Sequence, residues 1–164
     1  MNLIHEGDVE EIDVPGRRLR WLFHPESGIA KHCSMNVVTI APGQTVRPAH
    51  EHPNGEEIIY VVSGNGQVLV EGEVGTLHEG SAVLFSRGSV HMVRNSGPKP
   101  LKLACFFAPA ADFGSYRYHE EITFPEEPYA GGGEPSGRAR SCFGRLLSRR
   151  TGAKAVAGSF DGLT

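Results

Sequence analysis

Several absences narrow what this chain can be. The 164 residues contain no run approaching the ~20 consecutive apolar residues of a membrane span. The acidic N-terminus, Met1-Asn2-Leu3-Ile4-His5-Glu6-Gly7-Asp8, lacks the apolar core of a secretion signal. Three cysteines, Cys33, Cys105 and Cys142, lie far apart without CxxC spacing. That excludes a disulfide framework or a cysteine-rich zinc module and fits a reducing cytoplasm. Helical periodicity and internal repeats are also missing, so neither a bundle nor a tandem array is expected. Positive charge is scarce where it would matter for nucleic acid. Residues 1–130 hold 10 Lys+Arg against 17 Asp+Glu, a net of -7, whereas residues 131–164 hold 6 against 2, a net of +4. An acidic body cannot supply the clustered cations that phosphate binding needs.

What is present is a series of short β-compatible segments between turn signals. Arg18 to His24, Ser34 to Ile40, Ile58 to Val62, Gln67 to Glu71, Val74 to His78, Ala82 to Phe85, His91 to Asn95 and Leu101 to Phe107 follow one another. Strands recurring every 8–12 residues indicate an all-β sandwich or a small antiparallel β-barrel. Ser63-Gly64-Asn65-Gly66 reads as a tight hairpin turn. The reading divides the chain into an N-terminal arm (1–16), a barrel domain (17–130) and a Gly/Arg-rich tail (131–164) expected to be disordered. Within that tail, Ser141 to Arg150 is a candidate basic amphipathic turn for a membrane or partner, weighed against the favoured reading as a solvated stretch.

The chemistry concentrates in two places. His50 and His52 are two apart, so on a strand both imidazoles point to one face. Pro53-Asn54-Gly55 allows a turn that returns Glu57 to the same interior, in phase with Ile59 and Val61. His91 comes from a separate strand and completes a set of three imidazoles and one carboxylate. Those donors suit one divalent transition metal, with Fe(II) favoured and Mn, Ni, Zn or Cu possible. Ile59, Val61 and Val93 share phase with the donors and are expected to form an apolar wall, with Tyr60 and Met92 on the opposite side. Trp21, Phe23, Met35, Phe85, Cys105 and Phe107 are further wall candidates whose phase the sequence leaves open. Arg47, Arg87 and Arg94 lie near the motifs; each is a candidate clamp for a substrate carboxylate, weighed against a plain surface role. Asn95 is read as opening the turn Asn95-Ser96-Gly97-Pro98. His24, His32, His78 and His119 have no partner spacing and are treated as ordinary.

These two stretches resemble the paired motifs of the cupin superfamily. Gly43, His50, His52, Glu57 and Gly64 match the first motif, and Gly80, Gly88, His91 and Asn95 the second. Six residues separate Gly43 from His50 where the family has five, and Ser86 stands where proline is expected. The resemblance implies a jelly-roll barrel (a double-stranded β-helix) with a metal inside, and a homodimer through exchanged edge strands. The superfamily is diverse in chemistry, so the reaction is read from the open donor set, which points to a metal-dependent small-molecule enzyme with Fe(II) dioxygenase chemistry favoured. A non-oxidative lyase, isomerase, decarboxylase or cyclase is the alternative, and a non-catalytic binding barrel the third reading.

Overall fold

Alternation of apolar and polar residues builds the fold directly. The structure, a computed structural model, describes residues 1–125. The tail at 131–164 and its basic stretch lie outside the described residues. Among the described residues, eleven strands form two antiparallel sheets. In the six-stranded sheet the order is β1 (Ile12–Val14), β2 (Arg17–Phe23), β3 (Ser34–Ile40), β10 (Leu101–Ala108), β5 (Glu56–Ser63) and β8 (Ala82–Phe85). In the five-stranded sheet it is β11 (Arg117–His119), β4 (Ala49–Glu51), β9 (His91–Arg94), β6 (Gly66–Val70) and β7 (Glu73–Leu77). Short 3-10 turns occupy Glu6–Asp8, Pro25–Ser27 and Phe113–Ser115.

Strands β3, β5 and β10 bury every second residue. Their inward side chains, with Leu19, Trp21, Phe85 and Val93, make one continuous core between the sheets. A second, smaller cluster lies on the outer face of the five-stranded sheet. There Ala49, Leu69 and Met92 are buried beneath Val90 and Phe124. Met92 does fall in a different cluster from the cavity wall, as phase predicts, but it is buried under Val90 and Phe124 and not left on a free surface.

One expectation needs correcting. Ser63-Gly64-Asn65-Gly66 is not a hairpin turn, because β5 and β6 belong to different sheets. It is a corner that carries the chain across the core. Gly64 has φ +89°, and a Cβ there would sit 2.5 Å from the Pro100 carbonyl oxygen, so the corner tolerates no side chain. The same step between sheets recurs from β7 to β8 and from β9 to β10, winding the chain as a jelly roll. Asn95 secures the crossing before β10. Its side-chain amide donates to the Ile40 and Lys99 carbonyls, 2.8 Å each, and its Oδ1 accepts from Gly97 N at 2.9 Å.

Candidate metal centre

The sheets meet over a buried group of donors. His50 on β4 lies directly opposite His91 on β9 in the strand register. His52 follows at the end of β4, where its carbonyl accepts from Gly88 N at 3.0 Å. Glu57 comes from the facing sheet, between Phe85 of β8 and Phe107 of β10. One ligand atom from each of His50, His52, Glu57 and His91 falls within 4.8 Å of all the others. All four are buried, while the neighbouring Glu56 is exposed. The four residues singled out by spacing are thus brought together, from two sheets and three strands with their adjoining loop.

Hydrogen bonds orient the imidazoles. His50 Nδ1 donates to the Pro48 carbonyl at 3.3 Å and His91 Nδ1 to that of Ser89 at 2.9 Å. That tautomer leaves each Nε2 with a lone pair facing the cluster. His52 Nε2 lies 2.7 Å from Glu57 Oε2. His91 Nε2 is 3.2 Å from the same oxygen yet makes no hydrogen bond, so both atoms aim at a common point. Rings lock the remaining freedom. Phe85 stacks on His91 with centroids 3.8 Å apart, and Tyr116 stacks on His50 at 5.1 Å and meets His52 edge-on at 4.3 Å.

Burial and mutual charge set the protonation states. Desolvation, then the proximity of His91, pushes the His50 pKa well below the ordinary imidazole range, favouring the neutral ligand form. Burial alone would raise the Glu57 carboxyl, but the hydrogen bond with His52 and the closeness of His91 outweigh it and hold the group below the usual carboxylate range. Burial, reinforced by the Glu57 charge, raises the Cys105 thiol and the Tyr116 phenol, so both keep their protons. Three buried imidazoles, an ionised carboxylate and an orphaned His91 Nε2 are a donor set that suits a divalent transition ion, and this group could hold one.

A small cavity adjoins the donors. Val38, Ile59, Phe85, Val93, Leu103 and Phe107 form its apolar wall. Ile59 and Val93 belong there as expected, and Val61 packs within the core instead. Trp21 packs behind Phe107 at 5.8 Å, while Phe23 and Met35 are half-buried. The three arginines proposed as clamps are elsewhere. Arg47 is exposed, Arg87 Nε ties the two motif loops through the Pro53 carbonyl at 2.8 Å, and Arg94 bonds Gln67 at 2.6 Å.

Three polar residues of the cavity escaped the sequence reading: Arg17, Asn36 and Tyr116. Arg17 alternates with Leu19 and Trp21, and Asn36 with Ser34, Val38 and Ile40, so inward phase was a usable signal for both. Tyr116 had none, because a loop delivers it. Ser34 Oγ donates to the Ala111 carbonyl at 2.8 Å, Asp112 caps the Phe113–Ser115 turn, and β11 pairs with β4.

Comparison with known proteins agrees with this architecture. The cupin domain model matches residues 36–107. The tetracenomycin polyketide synthase protein TcmJ of Streptomyces glaucescens is 30% identical over 96 residues, 58% of this chain and 64% of that protein. This chain therefore aligns with slightly less than two thirds of that relative. Polyketide synthase CurC of Streptomyces cyaneus is 30% identical over 107 residues, 63% of this chain and 69% of its own length. Among solved structures, the polyketide cyclase RemF from Streptomyces resistomycificus superposes with a TM-score of 0.60 at 20% identity, covering 79% of this chain and 90% of that one. With the motif residues gathered at one buried centre and these matches spanning them, the chain belongs to the cupin superfamily.

Proposed function

We propose that this chain is a metal-dependent cyclase acting on a small polycarbonyl molecule of polyketide type. The carrying observation is the convergence of His50, His52, Glu57 and His91 beside an apolar cavity. The sequence relatives named as polyketide synthase proteins supply the substrate class. These four residues would hold the ion, which would supply Lewis acidity toward an enolisable 1,3-dicarbonyl. The rest is done by the protein. The wall of Val38, Ile59, Leu103 and Phe107 keeps water from a reactive polyketone and favours its folded conformers. Tyr116, protonated and in ring contact with two donors, is placed to give a hydrogen bond to a developing oxyanion. Tyr60, the other tyrosine near the motifs, is exposed on the outer face and takes no part.

Fe(II) dioxygenase chemistry is the second reading, and the donor set itself supports it, since three imidazoles and a carboxylate leave adjacent positions on a six-coordinate ion. Elemental analysis of protein purified without chelators, combined with oxygen uptake and product analysis on linear polyketones, separates the two. Zinc, manganese or nickel with cyclised product and no uptake is the expected outcome. Iron with oxygen consumption moves the assignment to the dioxygenase. Metal content unchanged by His50→Ala with His52→Ala sinks the centre altogether; the expected loss of affinity exceeds ~100-fold, more than outer-shell substitutions cost.

The homodimer also stands as a proposal. Ile58, Tyr60, Leu84 and Phe106 are 46%, 49%, 52% and 43% exposed on adjacent strands β5, β8 and β10. They form an apolar strip across adjacent strands, the kind of exposed patch that marks an interaction face.

A further inference from the structure

We infer that Arg17 reads an anionic group of the substrate in this cavity, so that the substrate carries a carboxylate besides its metal-chelating dicarbonyl, while Asn36 accepts from a substrate hydroxyl. The inference rests on the functional reading above and adds the substrate's charge to it.

Arg17 is the one cationic side chain of Lys or Arg type lining this cavity. It is half-buried, and among the described residues no carboxylate lies within ion-pair distance of it and no oxygen accepts from it. The contrast with its neighbours is sharp. Arg18 pairs with Glu11 at 2.9 Å, Arg20 with Glu11 at 3.4 Å, and Arg117 with Glu51 at 2.7 Å. Arg17 has only the face of Phe113, with Cζ 6.0 Å from the ring centroid. A guanidinium carries five donors in a fixed fork that matches a carboxylate, and shielding one from water without an anion is unfavourable. Asn36 adds an independent sign. It is 2% exposed, lines the same cavity, and its Oδ1 meets no donor among the described residues. Unpaired buried acceptors are uncommon, and a substrate hydroxyl or enol would satisfy this one.

The backbone leading into Arg17 is closely packed. It follows Pro15-Gly16, the tip of the β1–β2 hairpin, and Gly16 packs directly on the segment leading to β4. A Cβ at Gly16 would lie 1.7 Å from the Thr45 carbonyl oxygen, and the residue has φ +78°. Arg47 N donates to the Pro15 carbonyl at 3.4 Å, closing the same junction. The hairpin is thereby fixed to the element that carries His50, which sets the Arg17 backbone beside the cavity. Glu57 lines the same cavity as an anion, so a guanidinium and a carboxylate both face it.

The chain's single tryptophan provides the readout. Trp21 lies 5.9 Å from Phe113, the ring beneath Arg17, so its emission reports occupancy. The probes are 4,6-dioxoheptanoate, a β-diketone with a remote carboxylate, and its neutral amide, each titrated into the full chain as purified. Wild type should bind the carboxylate about tenfold or more tightly than the amide, the scale of a charge-assisted pair. In Arg17→Gln the preference should collapse to about one with amide affinity unchanged, and Arg17→Lys should keep part of it. An undiminished preference in Arg17→Gln overturns the inference, as does a wild type that does not distinguish the probes. Failure of the metal reading looks different: His50→Ala with His52→Ala would then bind both probes as wild type does, with the carboxylate preference intact.

Discussion

The two sheets face one cavity but finish their outer faces in different ways. The five-stranded sheet supplies the imidazoles from strands of three and four residues, and its back is sealed by the chain's own apolar residues. Phe124 packs on the Ala49–Leu69–Met92 cluster and receives the Arg94 guanidinium on its ring at 4.4 Å. The six-stranded sheet supplies Glu57 and most of the wall from strands of four to eight residues, and its back is split. One half is covered by the N-terminal arm through polar contacts: Lys102 to Glu6 at 2.5 Å, and Arg20 to the Val9 and Glu6 carbonyls. The other half is the uncovered apolar strip. Short strands in β4 and β9 hold catalytic-type geometry only because both faces are packed; the long strands β5 and β10 need only one.

Core truncations test that claim with the largest expected effects. Phe107→Ala, deep in the shared core, should cost about 3–5 kcal/mol in urea unfolding. Met92→Ala, on the back of the five-stranded sheet, should cost about 2–5 kcal/mol and also weaken metal retention, because β9 carries His91. Phe124→Ala removes a half-buried ring and should cost less, near ~1 kcal/mol with its cation–π contact. If Met92→Ala leaves metal affinity untouched, the back cover does not position the donors.

The uncovered strip makes the next comparison. Ile58→Glu with Phe106→Glu places two charges in the middle of it, on paired strands. We expect a dimer in the wild type and a monomer in the variant by light scattering, with unfolding in urea shifted little because neither side chain is in the core. A monomeric wild type would remove the dimer from the functional picture.

How much of this was legible differs between the sheets for the same physical reason. Strands buried on one face announce themselves, and the bounds of β3 and β8 follow directly from alternation. The pattern at β4 is three consecutive buried residues, which no period-2 reading yields, and β1 and β11 are three-residue edges below the reach of pattern. The donors were legible because ligand chemistry restricts residue type: His50, His52, Glu57 and His91 stand out whatever the strand bounds. The cavity's other polar groups were less so. Arginines near the motifs in sequence, Arg47, Arg87 and Arg94, drew the eye, whereas Arg17 reaches the cavity only through the hairpin contact at Gly16. The corner at Gly64 misled for a related reason, since a glycine turn looks the same whether the chain returns to its sheet or leaves it.

The smallest effect belongs to the polar cover. The Lys102 hydrogen bond, opposed only by slight burial, holds the Glu6 carboxyl below its ordinary value of 4.5. A carboxylate with a depressed folded pKa contributes stability that is present above that value and lost as the pH falls through the folded one. Both side chains are about a third exposed, so screening limits the pair to below ~1 kcal/mol. Glu6→Gln should therefore lower the melting temperature slightly at neutral pH and low salt. The difference from wild type should shrink as pH drops below about 4.5, and shrink also in ~1 M salt, where the Debye length is ~3 Å. A gap that persists in acid would mean the arm is held by its backbone contacts to Arg20 alone, and the two covers would then differ less in kind than their chemistry indicates.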